Sequence, residues 1–154
     1  MDWSTLKKEI YYRDGSLRDI YVLQTNFEDH EQWINLVNEL YTVRWFNGLT
    51  QKEEQKINFE VVKGYLKAEH DLSSSASIFI DKIQINNHFF RIHEIENDIS
   101  PKEINSIQDH EKIIKYMVAV STHLNKPIML TPENEPEKIL IHVINNKVDY
   151  LPKT

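Results

Sequence analysis

The chain has 154 residues, of which 40% are hydrophobic and 27% charged, and it contains no cysteine. That length suits one domain able to bury roughly two-thirds of its unfolded surface, and the lack of cysteine excludes disulfides, thiolate catalysis and Cys-ligated zinc. Eighteen basic residues against twenty-four acidic ones give a formal charge of -6, a balance that weighs against nucleic-acid and anionic-lipid partners and favours a cationic one.

The opening "MDWSTLKKEIYYRD" lacks the apolar core of a secretion signal, and no later run approaches the ~18 apolar residues that span a bilayer. The expectation is a cytoplasmic chain with no membrane contact. "EIYYRDGSLRDIYVL" (9–23) places Asp14-Gly15 between β-prone runs and predicts a hairpin. "NFEDHEQWINLVNELY" (26–41) spaces Trp33, Ile34, Val37, Leu40 and Tyr41 as one helical face. In "YTVRWFNG" (41–48) Arg44 interleaves with aromatics, and the negative chain favours a core strand over a base-stacking surface. "NGLTQKEEQK" (47–56) and "DLSSSAS" (71–77) read as surface loops. Between them 58–70 predicts a helix with Val61, Val62, Tyr65 and Leu66 inward, weakened by about 1 kcal/mol at Gly64.

"SIFIDKIQINNHFFRIHEI" (77–95) predicts a second hairpin turning at Asn86-Asn87, because asparagine tolerates the left-handed region. "SPKE" (100–103) is a helix start, with Ser100 as cap, Pro101 in the first position and Glu103 reaching back. Ser106 and Asp109 repeat the arrangement before 109–124, where Ile113, Met117, Val120 and Leu124 form one stripe beside Ile114 and Val118. Asn125 and Pro127 end that helix. "KILIHVINNKVDYL" (138–151) predicts a third hairpin at Asn145-Asn146. Helices alternating with hairpins imply one α+β domain over 1–154, with a largely antiparallel sheet and helices packed on one face.

Three scattered glycines (15, 48, 64) cannot build a phosphate-cradling loop. No HExxH or HxH spacing occurs, and the five-residue offset of His88 and His93 puts them on opposite sides of a strand. "SSSAS" lacks the glycine-framed elbow of hydrolases. No metal or cofactor is expected. In "HEIENDIS" (93–100) the alternation of Glu94, Glu96 and Asp98 points three carboxylates to one side. Such a row could bind Mg²⁺ or serve as an acid/base pair in a metal-dependent hydrolase. It could equally be an acidic protein-binding face, or a solvated rim.

The stretch "KPIMLTPENEPEKILIHV" (126–143) sets two strand-like runs around a turn with two prolines and three glutamates. A helix ending in "HLNKP", then "IML", "TPEN" and "ILIHV", resembles the C-terminal portion of small α+β immunity proteins encoded beside bacterial polymorphic toxins. "YYRDGSLRDIYV" (11–22) is similar to the opening hairpin of related bacterial proteins. The resemblance implies a non-enzymatic partner that caps a toxin domain, and it supplies no catalytic residue. A structural or regulatory interaction module is the other binding reading. Because Pro132 and Pro136 stiffen it, "TPENEPE" reads as a rigid exposed connection. It serves solubility or, by holding out Glu133, Glu135 and Glu137 at low ordering cost, forms a recognition edge.

Overall fold

The computed structural model describes residues 1–151 and contains nine strands. The strands are β1 Arg18–Leu23, β2 Thr42–Asn47, β3 Lys52–Glu54, β4 Ser75–Ile80, β5 Ile83–Asn87, β6 Glu94–Ile99, β7 Ile128–Pro132, β8 Ile141–Ile144 and β9 Lys147–Tyr150. Of these, β4, β5, β6 and β8 show clear period-two alternation of burial. They form one sheet in the order β3-β2-β4-β5-β6-β1-β7-β8-β9, and every neighbouring pair is antiparallel. The helices are α1 Trp3–Glu9, α2 Phe27–Leu40, α3 Phe59–Leu66 and α4 Ile107–Leu124, with a 3-10 turn at Pro101–Glu103. The result is the α+β domain expected. No helix among the described residues is long and apolar enough to cross a membrane.

Alternation divides the sheet into two faces. Ile20, Trp45, Ile78, Ile85, Ile95 and Leu130 lie on one face and enter a single core with Leu6, Trp33, Val37, Met117 and Val120 from the helices. α2 packs on α4 and β2, and α4 on β7 and β8, so this face is the covered one. α2 starts at a capping box in which Asn26 accepts from Asp29 N at 2.9 Å and the Asp29 carboxylate accepts from Asn26 N at 3.0 Å. α4 is capped by Ser106, which accepts from Asp109 N at 3.2 Å, and ends on left-handed Asn125. Its predicted stripe of Ile113, Met117, Val120 and Leu124 is buried. A polar chain runs through this core: Trp33 Nε1 donates to the Tyr116 hydroxyl at 3.0 Å, and that hydroxyl donates to Asn97.

Several local expectations are corrected. The turn at Asp14-Gly15 exists, with Asp14 accepting from Ser16 N at 3.0 Å and Gly15 at φ 87°, but no hairpin forms around it. Residues 3–9 are helical, and β1 pairs with β6 and β7 instead. Arg18, the first residue of β1, is fully buried. Its guanidinium donates to the carbonyls of Ile10, Tyr12, Ser16 and Leu17 and stacks 4.0 Å over the Tyr12 ring. These contacts hold residues 10–17 as a compact loop around the guanidinium, not as an extended arm beside β1.

The second hairpin turns at Asp81-Lys82, with Asp81 at φ 53°, while Asn86 and Asn87 close β5. His88 and His93 lie outside the strands, so alternation says nothing about them. The supposed loops contribute β3 and the start of β4. The second helix ends at Leu66, and in the first one Leu40 is exposed while Leu36 is buried. Glu103 does not reach back; its carboxylate accepts from Gln84 N at 3.0 Å. The third hairpin forms as expected around Asn145, at φ 53°.

Candidate functional site

The burial pattern of β6 alternates so that Ile95, Asn97 and Ile99 face the core and Glu94, Glu96 and Asp98 face the other side. Strand β1 lies beside it in antiparallel register, with Leu23 opposite Glu94, Tyr21 opposite Glu96 and Asp19 opposite Asp98. Directly opposed side chains share a face, so Asp19 and Tyr21 join the carboxylate row. Two loops border this ladder. Residues 88–93 contribute Phe90 and Arg91, and residues 133–140 contribute Asn134 and Pro136. Together they line a cleft of about 540 Å³ with Tyr21, Glu94 and Glu96 at its base.

Asp19 is 2% exposed, and its Oδ2 accepts from Asn134 N at 2.8 Å and from the Tyr21 hydroxyl at 3.1 Å. The same hydroxyl lies 3.4 Å from Glu96 Oε2. Asp98 accepts from Asn86 Nδ2 at 2.9 Å and lies 3.5 Å from His88 Nε2. Among the described residues, no ion pair reaches Asp19, Glu94, Glu96 or Glu133.

Crowding of carboxylates in a half-buried place shows in the titration. Burial, followed by the repulsion of Asp19 and Glu94, pushes the Glu96 carboxyl up to about 7. Burial also raises Asp19, against the hydrogen bonds from Asn134 and Tyr21 and with repulsion from Asp98 and Glu133. Tyr21 is raised above the ordinary phenol value by burial and by Asp19 and Glu96. A positive group entering the cleft would favour the charged carboxylates that the fold disfavours.

The predicted residues divide into three kinds. Glu94 and Glu96 line the cleft, and Asp98 continues the row. Glu135 and Glu137 are exposed in the loop that follows β7. Glu133, expected to be held out, is partly buried and its Oε1 accepts from Leu17 N at 2.9 Å. Pro132 is likewise buried at the end of β7. Sequence reasoning missed Asp19, Tyr21 and Phe90. The first two had a signal in the alternation of "RDIYVL", but its phase has meaning only beside β6. Phe90 is 62% exposed and stacks on His88 at 5.3 Å between ring centres.

Among the described residues, no three His, Asp or Glu side chains are grouped so as to hold a metal ion. Side chains two apart on a strand repeat roughly every 6.5 Å, which lines a face rather than closing around one cation. A larger cleft of about 730 Å³ lies at β2 and β3. Its lining balances Arg44 and Lys56 against Glu53 and Glu54, with Arg44 and Glu53 4.0 Å apart, whereas the first cleft sets Arg91 alone against Glu94 and Glu96. Compared with known proteins, the chain matches no protein-family model, no curated protein and no solved structure.

Proposed function

We propose that this chain is a non-enzymatic immunity protein of the cytoplasm, which binds a cognate toxin domain through the acidic cleft and neutralises it. The observation that carries this reading is that Glu94 and Glu96 line one cleft against the single lining base Arg91, with buried Asp19 bonded to the Tyr21 hydroxyl behind them, and that none of the three carboxylates is ion-paired among the described residues. Arg91 offsets only part of this charge, and a lysine or arginine of the partner supplies the rest, so binding relieves repulsion that the free protein carries. Phe90 adds an exposed aromatic anchor at the rim, the residue type on which interface energy concentrates. Toxins that act on nucleic acid must attract phosphate and so present basic surface, to which a chain of charge -6 is steered. The "TPEN" resemblance points the same way.

The test is stopped-flow association with the toxin domain encoded beside the gene, over a salt series. Glu94→Gln with Glu96→Gln is expected to slow association and flatten its salt dependence. Phe90→Ala is expected to speed dissociation. Glu135→Lys with Glu137→Lys tests the exposed loop separately. Unchanged rates and slopes in the first variant would remove the cleft from the interface, and absence of any binding to that domain would overturn the immunity reading.

A further inference from the structure

The sheet ends on β3 at one edge and β9 at the other. An edge strand presents unpaired backbone groups, and folded proteins blunt such edges by shortness, charge or cover. β3 is blunted: it has three residues, all exposed, and its carboxylates are engaged by Asn47 at 2.8 Å and Arg44 at 4.0 Å.

β9 differs. Its hairpin closes at Asn145-Asn146 with Ile144 opposite Lys147, followed by Val143 opposite Val148 and His142 opposite Asp149. Next to a two-residue turn the first pair exchanges both hydrogen bonds, and pairs alternate thereafter. The backbone groups of Lys147 and Asp149 therefore face β8, and those of Val148 and Tyr150 face outward. The side chains of Lys147 and Asp149 share the face opposite the helices. Neither makes an ion pair among the described residues.

We propose that β9 pairs antiparallel with β9 of a second copy of this chain, on a two-fold axis through Val148. In that register the two Val148 residues exchange backbone hydrogen bonds. Each Lys147 then stands opposite the other copy's Asp149, at the non-hydrogen-bonded positions where side chains come closest. Sliding the axis to Asp149 keeps the backbone pairing but sets the two aspartates face to face, so charge selects the first register. The interface is symmetric and closes at two copies.

The helix side of the same edge carries partly buried apolar side chains around His110, which is bonded to the Tyr11 and Tyr150 hydroxyls. Val148 and Tyr150 are only partly buried, and the Tyr150 hydroxyl lies 2.7 Å from His110 Nε2 on α4. Ile107 and Ile114, three residues before and four after His110, are also partly buried and share its side of the helix. A four-residue edge alone falls short of the ~1,000 Å² of a stable interface, so the dimer draws on this strip and forms with rising concentration. The acidic cleft lies over β1 and β6, three and four strands in from β9, and stays open in each copy.

Sedimentation velocity of the full chain, from low micromolar to near-millimolar concentration, tests the pairing. Wild type is expected to pass from monomer to dimer. Lys147→Glu or Asp149→Lys alone is expected to weaken the dimer by about tenfold or more, while Lys147→Asp with Asp149→Lys is expected to restore it. Far-UV circular dichroism confirms that each variant is folded, and if one single variant is not, the other reads the same contact. A monomer throughout, a dimer indifferent to both reversals, or a charge swap that fails to restore would each overturn the proposal.

Discussion

Arg18 organises the chain from Ile10 to Leu17, because its donors meet four carbonyls and the Ser16 hydroxyl. Only a guanidinium carries five donors in a planar fork; an ammonium at the same depth would leave several carbonyls without partners. Arg18→Lys is therefore expected to cost on the order of 3 kcal/mol, by loss of charged hydrogen bonds and exposure of orphaned acceptors. Urea denaturation measures it, and a loss below about 0.5 kcal/mol would mean the loop is held by other contacts. Gly48 makes a different demand. A Cβ there would stand 2.3 Å from the Ser73 carbonyl oxygen and 2.7 Å from that of Leu72. Backbone cannot yield as a side-chain tip can, so Gly48→Ala is expected to cost on the order of 1–3 kcal/mol by overpacking. A melt unchanged from wild type would contradict that close approach.

At the scale of elements, α4 is the longest helix, and its buried stripe joins the core to β7 and β8. Met117 is fully buried within it. Met117→Ala is expected to cost about 2–5 kcal/mol; a change below about 0.5 kcal/mol would mean that the stripe faces solvent. This helix was legible because caps, period and stop signal lie within its own length. The β8–β9 hairpin was legible for the same reason. The β4–β5 hairpin was misplaced because Asp81-Lys82 carries a weaker turn signal than Asn86-Asn87, yet it alone joins the two runs in register, with Ile80 opposite Ile83. Asn87 is instead a buried strand end whose side-chain Oδ1 accepts from Phe89 N at 2.8 Å.

Stability as a function of pH belongs to the whole molecule, because two distant groups oppose each other. Burial lowers His110 from 6.5 to about 4. The unfolded chain therefore takes up a proton that the fold refuses, and stability rises with pH between about 4 and 6.5. Glu96 acts the other way: the fold holds its proton up to about 7 while the unfolded chain releases it near 4.5. Its contribution, complete below 4.5, is lost as the pH rises to about 7. His30, lowered by burial, adds to the first slope, and Asp19, raised by burial, adds to the second.

In the shared window the slopes offset each other, so removing either group should expose the other. Glu96→Gln is expected to gain about 1 kcal/mol near pH 8, after allowance for solvent screening, and to leave stability climbing from acid to pH 6.5. His110→Gln is expected to leave it falling towards pH 7. Urea midpoints across pH measure both, and parallel curves for all three proteins would refute the opposition. The carboxylate that weakens the free protein at neutral pH is thus one on which the proposed interface rests, and a binding site maintained at some cost to stability would have this property.

The sequence by itself determined the α+β class, the helical phase of α4 and, through Trp33, Ile34 and Val37, most of that of α2, the last hairpin, and the alternation that sets Glu94, Glu96 and Asp98 on one face. Each of these is written within one or two turns of chain, where caps, periodicity and turn residues act. Only the tertiary structure decided that β1 lies between β6 and β7, while the chain before it, from Ile10 to Leu17, closes around the Arg18 guanidinium. Tertiary structure also turned Glu133 inwards and brought Asp19 and Tyr21 beside residues more than seventy positions away. Long-range pairing of this kind is set by which faces must be buried together, and no local signal records the partner.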